Sequence, residues 1–386
     1  MIKSKIKKKT TIAGRCDWFT SSLRHSPIEW DITKMRIVSV LKCVLLIVLP
    51  FEVVAAYAND DALSPSVSQW FGPQKWVRDT EGPVISLGPA GSFDDTHLFA
   101  PCVIWEKGVV QEKGRYRLWY SGSRRDVANR VFSLGMAESA GGRTFVKSKG
   151  NPIFDFGDGE HSVLTATMLR NPDGSVLREQ GRLRMWFSST HFAGGTETHT
   201  LHESTSADGV RWSKPSVAQL QGIYAPTILR ERDGYRMWFC DVSRDTWVIS
   251  HATSKNGKQW KVTDRGVVKV DQKWERTRLF YPTVLKANGA YLMWYGSYWT
   301  AERNKTALGC AVSTDGIHWH KHPANPVFRP DVSRPWESHY TTSQSVLRLP
   351  DGSFRIWYAS RRKPPFVNKY FAIGTATWKG AGKAAE

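Results

Sequence analysis

The sequence predicts an all-β fold, a five-bladed β-propeller built from four-stranded antiparallel blades, and three observations carry that prediction. First, an aromatic strand recurs five times, centred on Leu118-Trp119-Tyr120, Met185-Trp186-Phe187, Met237-Trp238-Phe239, Met293-Trp294-Tyr295 and Ile356-Trp357-Tyr358. The central Trp residues lie 67, 52, 56 and 63 positions apart. A strand-bearing unit at that period cannot bury its apolar face alone and must stack on its neighbours. Second, turn signals of fixed type flank every copy. Third, the strand missing from the last copy has a counterpart near the N-terminus.

The elements follow in order within each copy. The first strand is Pro101-Cys102-Val103-Ile104, Ala166-Thr167-Met168-Leu169, Pro226-Thr227-Ile228-Leu229, Pro282-Thr283-Val284-Leu285 or Gln344-Ser345-Val346-Leu347. In four copies a tight turn, Asp173-Gly174, Asp233-Gly234, Asn288-Gly289 or Asp351-Gly352, then leads into the Trp strand, as hairpin chemistry requires. A third strand such as Leu134-Gly135-Met136-Ala137 or Leu308-Gly309-Cys310-Ala311 runs into a second turn ending in an aromatic, as in Asp208-Gly209-Val210-Arg211-Trp212. Four short antiparallel strands make a propeller blade. The last copy lacks its fourth strand. Trp76, however, precedes Val84 by the same eight residues that separate Phe145 from Ile153 and Trp319 from Val327. Residues near 66–80 are therefore expected to complete the fifth blade and close the ring, which removes exposed edges.

The chain has 386 residues and a formal net charge of +19. Residues 1–58 carry ten Lys/Arg and four Asp/Glu, so the remainder keeps 19 − 6 = +13. A basic surface favours anionic partners. No helix-turn-helix, zinc-finger or RNA-binding signature accompanies the charge, which argues against nucleic acid. Residues 1–58 read as an N-terminal extension with a secretory signal: Arg36 and Lys42 flank the apolar run Cys43–Leu49, and Val54-Ala55-Ala56-Tyr57-Ala58 offers a cleavage site before Asn59. Met35 stands where such a signal would begin. The expectation is an exported protein, periplasmic or extracellular, without membrane insertion after leader removal. It comprises a single domain over 59–386 and is monomeric. Cys102, Cys240 and Cys310 are expected as buried free thiols. No metal and no cofactor are expected.

The blade register points to the chemistry. Seven residues before the first-strand positions Pro101, Pro282 and Gln344 stand Asp94, Glu275 and Glu337, each preceded by an aromatic: Phe93, Trp274 and Trp336. Glu160 falls one residue out of register in blade two, and blade three has no carboxylate in Gly222-Ile223-Tyr224-Ala225-Pro226. Four acids around one channel mouth would suit glycoside hydrolysis, in which one carboxyl protonates the leaving oxygen and another attacks or activates water. Crowding would raise the pKa of at least one. The alternative is that the repeated aromatic–acid pair is scaffold, its carboxylate capping backbone amides.

These features resemble the five-bladed propellers of the arabinanase, invertase and levansucrase superfamily. The carriers are the Asp/Asn-Gly-x-x-Trp turns, the Tyr-Arg-Met-Trp-Phe strands, Asn-Pro-Val-Phe and Phe93-Asp94-Asp95, over residues 66 to 378. The resemblance implies a base or nucleophile at Asp94 or the adjacent Asp95 and an assisting acid at Glu160. It also implies a general acid in blade three, where this chain has Tyr224 or Gln219 instead. Asp241 on the neighbouring strand end, or Glu275 in blade four, would then supply the acid, with Glu337 in reserve; otherwise hydrolysis has been lost. Other polar groups expected on the same face are Arg124, Arg244, Arg278 and Arg361, suited to carboxylate, sulfate or phosphate. Trp299 and Tyr340 could stack on sugar rings, and His161, His191 and His339 join them. The expected activity is glycosidase action on a polysaccharide or oligosaccharide, an anionic one among the options. The alternatives are a non-catalytic carbohydrate-binding propeller, a phosphorylase using the arginines for phosphate, and a protein-interaction propeller.

Overall fold

The computed structural model describes residues 63–108, 114–126, 129–192, 198–300, 305–362 and 372–381. The signal-like stretch, Met35 and Asn59 lie outside them. The described residues form five four-stranded antiparallel sheets. The short β1 (Val77–Arg78) comes first. Blade one comprises β2 (His97–Glu106), β3 (Arg115–Ser123), β4 (Ser133–Ser139) and β5 (Val146–Lys147). Blade two comprises β6 (His161–Met168), β7 (Leu183–His191), β8 (Thr200–Ser206) and β9 (Leu220–Gln221). Blade three comprises β10 (Ile223–Glu231), β11 (Gly234–Asp241), β12 (Val248–Ser254) and β13 (Lys261–Val268). Blade four comprises β14 (Arg276–Ala287), β15 (Ala290–Tyr298), β16 (Thr306–Ser313) and β17 (His320–Lys321). Blade five comprises β18 (Thr342–Arg348), β19 (Phe354–Ser360), β20 (Ala372–Trp378) and, as its outer strand, β1.

The closure follows the expected register. Val77 pairs with Thr377 and Arg78 with Ala376. Beyond that pair, Ile85 bridges Ile373 just as Phe154 bridges Leu134 and Phe328 bridges Leu308.

The recurring Trp is the bolt between blades. All five are fully buried, and a buried indole N–H needs an acceptor. Trp119, Trp186, Trp238 and Trp357 donate to the carbonyls of Gly209, Gly257, Gly316 and Gly142 in the following blade, at 2.8–3.1 Å. Trp294 faces the blade completed by the N-terminal segment and donates to Gln74 Oε1 at 3.0 Å instead. The acceptor glycines must be glycine. Gly257 has φ +74°, and a Cβ there would lie 2.8 Å from the Trp186 ring.

Every inner strand is interrupted by a bulge, at Phe99/Cys102, Leu164/Thr167, Tyr224/Thr227, Phe280/Thr283 and Thr342/Ser345. Within each bulge sits a non-glycine residue of positive φ: Ala100, Thr165, Ala225, Tyr281 and Ser343. The bulges turn side chains toward the axis, where hydrogen bonds link one inner strand to another. Ala100 N donates to Ser343 Oγ (3.2 Å), Val103 N to Ser345 Oγ (3.0 Å) and Thr283 Oγ1 to Gln344 O (2.8 Å). Cys102, Cys240 and Cys310 are buried free thiols. Inner strands begin at what we call the upper face and end at the lower face.

Candidate functional site

The acids that the blade register aligns are built into the blades. Asp94 is buried; its Oδ2 accepts from Tyr120 OH (2.9 Å) and from Lys147 Nζ on the outer strand β5 (2.5 Å). Glu275 accepts from Tyr295 OH (2.7 Å), from the amides of Asp271 and Gln272 (2.9 and 3.1 Å), and from Lys321 Nζ on the outer strand β17 at 2.7 and 2.8 Å. Glu337 accepts from Tyr358 OH (2.5 Å) and Arg78 Nε on the outer strand β1 (2.8 Å), and also meets Arg334. The aromatic before each acid lies on a glycine: a Cβ on Gly135, Gly309 or Gly374 would stand 2.5 or 2.6 Å from the Phe93, Trp274 or Trp336 ring. Each acid thus ties the loop preceding a blade to that blade's outer strand.

This corrects the expectation of four equivalent acids at one channel mouth. Blades two and three lack the staple because they lack its parts. They carry Phe187 and Phe239 where the stapled blades have Tyr, and His202 and Ser250 where those have Gly. Glu160 accordingly stands exposed, its amide bonded to Asp158 Oδ1 at 2.9 Å. In blade three, Asp241 makes the outer-strand link from a different position. It accepts from Ser243 Oγ (2.5 Å), Ser250 Oγ (3.1 Å) and Arg265 Nη1 on β13 (2.5 Å). Burial works to raise the Asp241 pKa, but the Ser243 and Arg265 contacts outweigh it and hold it below the usual value.

The upper mouth carries a different constellation. Its floor is apolar, formed by Phe99, Ala100, Phe132, Leu164, Tyr224 and Ala225. Tyr224 and Tyr281 meet hydroxyl to hydroxyl at 2.7 Å, and burial pushes the Tyr281 pKa well up. The His199 ring lies 4.9 Å from Tyr224; burial, with Arg130 nearby, lowers the His199 pKa to about 4, so it is neutral at pH 7. Around the floor, guanidinium groups stack on aromatic rings: Arg361 on Tyr340 (3.7 Å), Arg130 on Phe192 (3.8 Å) and Arg278 on Trp247 (4.3 Å). The Trp247 and Arg278 backbones form a bridge, which fixes that pair. No carboxylate among the described residues forms an ion pair with Arg278.

The remaining candidates fall on the same face. His161 Nδ1 meets Asp158 Oδ2 at 2.6 Å, and the His191 ring lies 5.3 Å from it. Burial works to raise the Asp158 pKa, but the His161 and Glu160 amides and the imidazole outweigh it and hold it at about 2. The Asp-x-x-His turn is not itself a catalytic signature, because Asp315 and His318 repeat it at 2.7 Å on the opposite face. Asp95 is occupied by the Gly91 amide (2.7 Å) and Thr96 Oγ1 (2.9 Å). Arg124 and Arg244 are exposed. Trp299 lies under Arg329 at 5.4 Å, and His339 Nδ1 meets Ser338 Oγ at 3.0 Å. The blade register did not single out Arg130, Asp158, Phe192, His199, Trp247 or Tyr281 for this face. No three His, Cys, Asp or Glu side chains among the described residues converge as metal ligands.

No protein-family profile matches the chain. An uncharacterised protein of Mycobacterium tuberculosis is 26% identical over 243 residues, spanning 60% of this chain and 76% of its own. An A type blood N-acetyl-α-D-galactosamine deacetylase of Flavonifractor plautii is 32% identical over 90 residues, 23% of this chain and 11% of that protein. Among solved structures, a glycoside hydrolase superposes with a TM-score of 0.61 at 14% identity, covering 79% of this chain and 94% of its own. A structure from work on the GH130 family of mannoside phosphorylases, which contains glycoside hydrolases targeting β-1,2 mannosidic linkages in Candida mannan, superposes at 0.60 with 15% identity, covering 81% and 96%. These likenesses are of fold: glycoside hydrolases share this five-bladed architecture.

Proposed function

We propose that the protein is a carbohydrate-active propeller that takes an anionic saccharide at its upper mouth. The observation that carries this is Arg278, over the Trp247 ring with no carboxylate paired to it among the described residues, beside the Tyr224–Tyr281 pair and His199. A guanidinium held flat on an aromatic ring keeps its N–H edge available for a carboxylate or sulfate, while nearby aromatic faces suit sugar rings. The fold neighbours that act on glycans support the class of ligand.

Hydrolysis is a second reading, favoured by the Asp158–His161 pair. The carboxylate orients the imidazole, whose other nitrogen is the group positioned to take a proton from water. Asp94, Glu275, Glu337 and Asp241 are engaged in holding blades together, and exposed Glu160 is the carboxylate candidate left on this face. Export on the leader pattern ending at Ala58 belongs to the same proposal; sequencing the N-terminus of the secreted protein should find Asn59.

The test is calorimetric titration with oligogalacturonates, sulfated oligosaccharides and neutral oligosaccharides, followed by reducing-end assays on whatever binds. Acidic ligands should bind, with affinity falling as salt rises, and Arg278→Ala should weaken them. Turnover that disappears in His161→Gln while binding persists supports hydrolysis; binding without turnover in the parent leaves a binding module. Equal affinity for neutral and acidic ligands would overturn the anionic assignment.

A further inference from the structure

The cavity that follows the axis is not at the upper mouth. It has a volume of about 110 Å³ and runs from the bulges toward the lower face, lined by all five inner strands. Four positions beyond the first-strand residues Pro101, Ala166, Pro226, Pro282 and Gln344 stand Trp105, Arg170, Arg230, Lys286 and Arg348. Four of the five inner strands therefore carry a cation within two residues of their lower ends, and all four cations border the cavity.

Two of them are neutralised. Arg230 Nε meets Glu179 Oε1 at 3.2 Å, and Lys286 Nζ meets Glu231 Oε2 at 2.8 Å. Arg170 and Arg348 meet no carboxylate within ion-pair distance among the described residues. Asp173, on the hairpin beside them, is turned to Lys107 (2.8 Å), and Asp351 to Ser353 (2.6 Å).

Both arginines line the cavity, and Arg170 is held on the strand that carries Arg348. Arg170 reaches β18, donating from Nη2 to Ser345 Oγ (3.2 Å) and from Nη1 to Val346 O (3.3 Å), and β18 ends in Arg348. The Arg170 Nε is buried with no acceptor among the described residues. The hairpin joining β6 to β7 covers the same spot: Ser175 bridges Trp105, and a Cβ on Gly174 would lie 2.8 Å from Arg348 O. Two guanidinium groups with no carboxylate partner among the described residues thus border a cavity whose wall mixes apolar side chains with Thr167, Thr227, Thr283 and Ser345.

We propose that this lower mouth binds a tetrahedral oxyanion, phosphate or sulfate, free or as the ester group of a larger molecule, between Arg170 and Arg348. Arg348 gives one N–H to Asn288 Oδ1 and has further donors of its fork to offer adjacent oxygens of such an anion; Arg170, whose Nη atoms already donate to Ser345, Val346 and Cys102, adds its charge beside it, and the anion would balance the surplus. The site lies on the face opposite the saccharide mouth, so it stands or falls independently of that reading.

The test uses the full chain in calorimetry and thermal melts with sodium phosphate, sodium sulfate and glucose 6-phosphate, each against sodium chloride at equal ionic strength. A saturable heat and a saturable rise in melting temperature with any of the three anions, absent with chloride, are expected. Tighter binding of glucose 6-phosphate than of phosphate identifies the ester as the form taken, and the reverse identifies the free ion. Arg348→Gln, at a half-buried residue with one side-chain hydrogen bond, should fold and weaken binding at least tenfold; Arg170→Gln should do the same, and Arg278→Ala should leave it unchanged. All three anions behaving as chloride, or binding insensitive to Arg348→Gln, would overturn the proposal.

Discussion

Glu275→Gln separates scaffold from catalysis at the position where the blade register would place an acid. In the parent, Lys321 Nζ sits 2.7 and 2.8 Å from the two carboxylate oxygens, with both side chains at most 9% exposed. Removing one partner of a buried pair leaves an uncompensated charge and costs about 3–5 kcal/mol. Asp271 also reaches Lys321 at 2.6 Å from an exposed position, so the loss should fall near the lower end, about 3 kcal/mol. The single amide oxygen of glutamine can keep the Asp271 and Gln272 amides while its Nε2 donates to the Tyr295 hydroxyl, so the substitution removes the charge and reverses one hydrogen bond. Urea unfolding of parent, Glu275→Gln, Lys321→Met and the double variant gives the coupling energy directly. Replacing Glu275 by Leu, Tyr295 by Phe and Lys321 by Met together removes the charged staple as a unit and leaves apolar side chains in its place. It should recover most of the loss, because apolar replacement of a buried pair is often neutral. A Glu275→Gln protein within about 0.5 kcal/mol of the parent that has nonetheless lost saccharide turnover would refute the scaffold assignment.

Gly257→Ala should destabilise by about 2 kcal/mol or more, from its φ of +74° and a Cβ 2.8 Å from Trp186, measured by the same unfolding curves. Gln74→Ala removes the acceptor for the buried Trp294 indole and should cost about 1–3 kcal/mol, read as a lower urea midpoint at unchanged slope. His199 titrates near 4 in the fold instead of 6.5, so its contribution is full above pH 6.5 and is lost as pH falls toward 4, by up to about 3 kcal/mol. His251, also lowered to about 4 by burial with Arg236 nearby, adds to the same window. His199→Gln should therefore flatten the loss of stability between pH 6.5 and 4 without abolishing it. Trp247→Ala should weaken acidic oligosaccharides about tenfold or more by freeing Arg278 from its stacked position, seen in calorimetry.

Blade number, strand order and closure were legible because they rest on local, repeated features: the Trp strand, the glycine turns and the eight-residue spacing from Trp76 to Val84. The staple was half legible. Tyr120, Tyr295 and Tyr358 keep company with Gly135, Gly309 and Gly374, while blades two and three change both residues. What the register could not show is that the charge partner comes from the outer strand, as Lys147, Lys321 and Arg78 do. The upper mouth was harder still. Trp247 belongs to blade three and Arg278 to blade four, and Arg130 and Phe192 are likewise contributed by different blades. Such pairs form across blade boundaries, with at least one partner in an irregular loop, where a within-blade alignment gives no register.

The most direct measurement is a crystal structure of the protein with a bound acidic oligosaccharide. The sugar should lie against Trp247 and Tyr340, its carboxylate or sulfate on the Arg278 edge, with the Asp94, Glu275 and Glu337 contacts unchanged. A saccharide bound by those three carboxylates, with Lys147, Lys321 or Arg78 displaced, would contradict that placement.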